Sequence, residues 1–167
     1  KTELYTDALT LYEKGEFQAT ISKIDEYVKS VPSARSYGLR AYSNMKLGQV
    51  DEMNSDSQKS VLYDSKYTPG YLGQSFYHFS KGKYQDAIGY VNLALDKQKD
   101  FQSEVETSFN YHDAYYIGGY SYFMLKDYGS CYDALKEYKT ELAFTKSQND
   151  LVVQLLIELQ NDYEKAK

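Results

Sequence analysis

KGKYQDAIGYVNLAL, residues 81–95, carries a glycine, one spacer, an aromatic and then an amphipathic run with small residues at Ala87 and Ala94. KGEFQATISKIDEYV, residues 14–28, repeats that order with Gly15, Glu16 and Phe17. Sliding the chain against itself turns this echo into a period. Phe17, Val50, Tyr84 and Tyr128 each open a helix-like run, at intervals of 33 (17 to 50), 34 (50 to 84) and 44 (84 to 128) residues. Gly15, Gly48 and Gly82 stand two residues before three of these runs, where one helix must end and the chain must turn. The fourth run has Lys126 in that place, which leaves its turn less sharply specified. A period near 34 predicts helix-turn-helix repeats.

Within a repeat, Tyr71, Ser75 and His78 fall at i, i+4 and i+7, one stripe of a helix, and small residues on such a stripe let a partner helix approach closely. One hairpin cannot bury its own apolar face, so neighbours must stack, and about three or more repeats are needed for stability. On these residues the chain resembles the tetratricopeptide repeat family. The family's large, small and large positions on the first helix match Leu4, Ala8 and Leu11, and Thr20, Ile24 and Tyr27 follow on the second, with Pro32 closing the repeat. The third repeat gives Tyr71, Ser75, His78, Ala87, Val91 and Ala94, and the fourth gives Tyr115, Gly119, Tyr122, Cys131, Leu135 and Tyr138. In the second, Tyr37 and Ala41 match, whereas Asn44, Met53 and Ser57 depart from the pattern.

The resemblance implies an all-α, right-handed α-solenoid of about four hairpins, the second degenerate, in a single domain spanning 1–167. The repeats cover about 1–33, 34–66, 67–100 and 112–145. The long interval between the third and fourth places an insertion at 101–111, where Ser103 and Glu106 have capping-box spacing. Leu151, Leu155 and Leu159, with Val152, Leu156 and Ile157, predict a C-terminal capping helix over about 148–165 with a polar tail.

Composition narrows the function. A chain of 167 residues with 42% hydrophobic and 26% charged residues is long enough for one core and too apolar to be disordered. Twenty tyrosines and no tryptophan suit thin layers in which a ring is buried while its hydroxyl stays wet, although compositional bias gives the same count. The net charge of −5, without a basic run, argues against a nucleic-acid partner. A single cysteine requires no oxidising compartment; this leans toward the cytoplasm without ruling out export. LVVQLLIEL, 151–159, is too short for a membrane span and carries Gln154 and Glu158, so no membrane insertion is expected. The chain opens on Lys1 with neither an initiator Met nor a signal-like segment, as in a mature or trimmed form.

A first helix that only packed against its partner would need one apolar stripe, and these helices carry two. Rotated about one residue from the core stripe lie Tyr5, Leu9 and Tyr12; Gly38, Tyr42 and Met45; Leu72, Phe76 and Phe79; and Tyr116, Tyr120 and Phe123. In the family this stripe lines a concave groove that holds partner peptides, and rows of aromatic anchors are typical of interface hot spots. The groove residues expected to bind a peptide or helix of a partner protein are Phe76, Phe79, Tyr116, Tyr120 and Phe123, extended by Tyr42 and Met45, with Tyr12 at the far end. A carboxylate clamp is not expected, because its candidate cations, Arg35, Arg40 and Lys46, all fall on the second repeat.

No catalytic constellation emerges. His78 lies on the core stripe and reads as a packed, hydrogen-bonded ring; His112 opens a helix without a zinc or nucleophile pattern around it. Cys131 takes a small-residue packing position, Gly118 and Gly119 read as close-packing glycines, and Asp25/Glu26 and Asp51/Glu52 as solvated faces. The expected protein is a non-enzymatic scaffold without metal or cofactor. The alternative is a structural spacer or self-association module, a possible homodimer, whose groove is filled from within.

Overall fold

The computed structural model describes residues 2–97 and 111–140, together with Gln154, Glu158 and Asn161. Among the described residues there are eight helices and no strand: α1 (Thr2–Glu13), α2 (Phe17–Val28), α3 (Ala34–Lys46), α4 (Val50–Tyr63), α5 (Thr68–Ser80), α6 (Tyr84–Lys97), α7 (Tyr111–Met124) and α8 (Tyr128–Thr140). The even-numbered helices begin at the four residues that set the period. The 101–111 insertion, apart from Tyr111, lies outside the described residues, as does most of the predicted capping helix; Gln154, Glu158 and Asn161 are helical and exposed.

Each hairpin turns in the same way. Gly15, Gly48 and Gly82 have φ of 80°, 74° and 71°, the left-handed region that glycine enters freely, and Lys126 joins them at 64°. The hydrogen bonds repeat as well: Gly82 donates to the Phe79 carbonyl (3.0 Å) and Lys83 to that of His78 (2.9 Å), while Lys126 donates to Phe123 (3.0 Å) and Asp127 to Tyr122 (2.9 Å). The fourth turn therefore has the geometry of the others without their glycine, held by the packing on either side. Asp127 then caps α8, accepting from the Ser130 N–H (3.2 Å) and hydroxyl (2.8 Å). Ser33 and Ser36 form a reciprocal capping box at the start of α3.

Helices pack in pairs, each second helix rests on the first helix of the next pair, and successive first helices also touch: α1 with α3, α3 with α5, α5 with α7. No comparable contact joins successive second helices among the described residues. The stack is closer along its first helices, so it is an α-solenoid that curves with α1, α3, α5 and α7 inside.

The predicted stripe residues form the core. Ala8, Thr20, Ile24, Ser75, Ala87, Ala94, Cys131 and Leu135 are fully buried, and each large apolar member contributes roughly 1.5–3 kcal/mol. At Gly119 an added Cβ would stand 2.6 Å from Leu135, so this glycine is required by close packing. Gly118 differs: an added Cβ would meet only Val91, at an ordinary 3.4 Å. Gly118, expected to be a close-packing glycine, is therefore not one.

The second repeat keeps the architecture with different chemistry. Met53, Ser57 and Asn44, the residues that depart from the pattern, are 0%, 1% and 4% exposed. Between them Arg40 donates from Nε and Nη2 to both oxygens of buried Asp56, each at 2.8 Å, and from Nη1 to Asp25 Oδ1 at 2.8 Å. Asn44 Nδ2 completes the set on Asp56 at 3.3 Å. These bonds, those to Asp56 foremost, hold the guanidinium pKa above its already high ordinary value. Asp25, expected on a solvated face, is half exposed yet tied through Arg40 to α4.

Candidate functional site

The second stripe divides by depth. Tyr5, Tyr42 and Leu72 are 7%, 1% and 1% exposed, whereas Tyr12, Met45, Phe76, Phe79, Tyr116, Tyr120 and Phe123 are half-buried. Tyr42, expected to extend the binding surface, lies instead in the core cluster with Ala41, Met53 and Leu72. The residues that enclose it there come from α3, α4 and α5. Tyr5 is covered differently, by the Arg35 guanidinium 4.2 Å above its ring. That contact and the Arg40 network account for two of the three cations a clamp would use.

Gly38 is the gap in the stripe, and the structure shows what fills it. A Cβ added there would stand 2.7 Å from the ring and hydroxyl of Tyr67, which lies just before α5 and is 7% exposed. Tyr67 supplies from the following repeat the ring that Gly38 lacks. Nothing in the local pattern signalled this, since the two residues belong to different hairpins.

The half-buried rings are continuous across α5 and α7. Phe79 lies edge-on to Tyr116 (6.4 Å, 61°) and Tyr120 (5.5 Å, 78°); Tyr120 is 6.2 Å from Tyr116 and 6.3 Å from Phe123. Edge and tilted geometries at these separations are the favourable ones for aromatic pairs. Burial, and secondarily the neighbouring Tyr120, raises the Tyr116 phenol above its ordinary range. Three of these end residues are braced from the turn: Tyr12 by Phe17 (5.4 Å), Phe79 by Tyr84 (6.1 Å) and Phe123 by Tyr128 (5.8 Å). The sequence pattern presented Phe17, Tyr84 and Tyr128 only as helix starts. Tyr12, Met45 and Phe76 pack with Phe79 on the central core cluster, while Tyr116, Tyr120 and Phe123 pack on Cys131 and Leu135.

Of the residues weighed for chemistry, His78 and Cys131 are packed. His78 stacks on Tyr90 at 5.1 Å with the rings 4° from parallel, and its buried Nδ1 has no hydrogen-bond partner among the described residues. The ring is packed, as expected, by this stacking, while Nδ1 makes no hydrogen bond to a described residue. Burial, with a smaller contribution from Asp127, pushes the Cys131 thiol up to about 12, opposite to what a nucleophile needs. His112 lies in the first turn of α7. Among the described residues no group of three or more His, Cys, Asp or Glu is placed to hold a metal ion, and no helix is long and apolar enough to cross a membrane.

Stacked hairpins with one turn geometry and an inner face of first helices define a tetratricopeptide-repeat-like α-solenoid. Solved structures of this fold superpose on the chain. In the crystal structure of the APC/C hetero-tetramer Cut9–Hcn1, 29% of one chain matches 93% of this one at a TM-score of 0.79 and 19% identity. The thermophilic TPR protein TTC0263 of Thermus thermophilus matches 97% of this chain over 82% of its own (TM-score 0.67, 16% identity). MamA matches 94% over 94% of its own (0.64, 18%). The chain thus spans less than a third of the Cut9–Hcn1 chain, and at these identities the likeness is one of fold. No protein-family model and no curated protein matches the sequence.

Proposed function

We propose that the chain is a non-enzymatic scaffold that binds a peptide or helix of a partner protein along its inner face. Phe76, Phe79, Tyr116, Tyr120 and Phe123 are the anchors, Met45 and Tyr12 extend the surface, and Tyr42 is its floor. The observation that carries this reading is the ring ladder of Phe79, Tyr116, Tyr120 and Phe123, half-buried and continuous over two repeats. Such rings supply large, rigid, partly apolar contact area with few rotors to freeze, the character of interface hot spots. The likeness to a chain of the Cut9–Hcn1 hetero-tetramer supports a role in assembly with other proteins.

A second reading, a spacer or self-association module, draws on the burial of Tyr5, Tyr42 and Leu72 by the chain itself. Light scattering separates the two, since a stable homodimer favours the second. The decisive experiment compares partners captured by the wild-type chain and by a Phe76→Ala, Tyr120→Ala variant with an unchanged circular dichroism spectrum. A partner lost only from the variant supports the groove. Identical captures, or none, leave the spacer as the better reading.

A further inference from the structure

The three wedges between successive second helices differ in what stands at equivalent places. In the first, between α2 and α4, Arg40 reaches out of α3 with its guanidinium 5.3 Å from the Tyr37 ring and bonded to Asp25 and Asp56. In the second, Gln74 holds the place of Arg40, ten residues before the next helix begins, and is 5% exposed. Tyr90, at the place of Asp56, stacks there on His78. In the third, between α6 and α8, the same two places hold Gly118 and Ala134, and a cavity of about 310 Å³ opens between them. Because a Cβ at Gly118 would meet only Val91, a side chain at this place has room to enter the cavity.

Its walls retain the chemistry of the first wedge. Tyr115 stands at the place of Tyr37 and Asn92 at that of Asp25, and both line the cavity. The carboxylate lost at Ala134 is replaced by Asp133, one residue earlier on the same helix and also lining the cavity, and Val91 and Leu95 form an aliphatic wall. We infer that this cavity is a receptor slot for an arginine side chain presented by a partner protein. The aliphatic stem lies against Val91 and Leu95, and the guanidinium meets Asp133 and the Asn92 side-chain oxygen beside the Tyr115 ring.

Arginine fits better than lysine on three grounds. The chain's own occupant of the equivalent wedge is an arginine; a planar guanidinium both stacks on a ring and bonds carboxylates through a fixed fork; and it is the less strongly hydrated cation. At about 310 Å³ the volume has room for one arginine side chain. The slot lies on a different face of α7 from Tyr116, Tyr120 and Phe123, so it stands independently of the groove.

The test is an amide NMR titration with N-acetyl-arginine methylamide, and with the citrulline and lysine counterparts. Arginine should shift the amides around Asn92 and Asp133 saturably, while citrulline, of the same shape but uncharged, should bind about tenfold more weakly or worse. Asp133→Asn should weaken arginine binding by about the same factor. Gly118→Arg should place the side chain in the slot from within, abolish the shifts and melt higher than Gly118→Ala, the control for loss of glycine. The inference is overturned by an equal response to citrulline, by no saturable shift, or by a Gly118→Arg chain that binds as the wild type does. A Gly118→Arg chain that fails to fold where Gly118→Ala folds would equally show that the slot has no room for the side chain.

Discussion

The ring of Phe79 meets that of Tyr120 edge-on, centroids 5.5 Å apart and planes at 78°, and this contact joins α5 to α7 on the inner face. It belongs to two hairpins at once, so it couples the repeats that carry most of the proposed site. In a double-mutant cycle with Phe79→Leu and Tyr120→Leu, measured by urea unfolding, the pair should show a coupling of about 0.5–1.5 kcal/mol. A coupling near zero would make the rings mere neighbours.

Lys126 occupies a left-handed conformation at φ 64° that its three counterparts fill with glycine. An L-residue is strained there by about 1–2 kcal/mol, part of which glycine gives back through its freer unfolded chain. Lys126→Gly should therefore stabilise the protein by about 0.5–1 kcal/mol, and Gly82→Ala should destabilise it by a comparable amount. Thermal melts of the two variants, read together, check the sign.

Arg40 should be far more sensitive than the number of its bonds suggests. Its partner Asp56 has a side chain only 5% exposed, so Arg40→Ala strands a buried charge and should cost about 3–5 kcal/mol. Asp25 is 55% exposed, and Asp25→Ala should cost under about 1 kcal/mol. Comparable losses for the two would mean that Asp56 is rescued by water or by its neighbours.

Cys131 should behave as a protected thiol. Its pKa rises in the fold from an ordinary 9.0 to about 12, so the folded state holds the proton more tightly than the unfolded one. That contribution is complete below the ordinary thiol value and is lost as pH climbs from about 9 toward 12. Stability measured across this window should fall more steeply for the wild type than for Cys131→Ala. At pH 8 Ellman's reagent should label the native chain only as fast as α7 and α8 open.

Much of the fold was legible because it rests on local spacing. Phe17, Val50, Tyr84 and Tyr128 announced the second helices, and Ala87, Val91 and Ala94 their buried faces, since both follow from helical periodicity and turn chemistry alone. The second repeat was harder to read. Asn44 looked like a departure because its partner Asp56 sits on another helix, and Arg40 serves two helices at once. The site was legible as a stripe and illegible in depth. Whether Tyr42 faces solvent depends on how α3, α4 and α5 pack, and Tyr67 stands in for Gly38 only after two hairpins have packed.

The ring ladder also gives the molecule an optical character. Without tryptophan, its ultraviolet emission comes from tyrosine alone, and Tyr116 and Tyr120 stand 6.2 Å apart. Excitation passes readily between identical chromophores so close together, which depolarises the light they emit. A segment that wedges between these rings or displaces one would change their share of that polarisation, beside the shares of Tyr5 with Tyr27 and Tyr37 with Tyr63, which stand 5.9 Å and 5.4 Å apart, so occupancy of the inner face alters a signal that needs no added label.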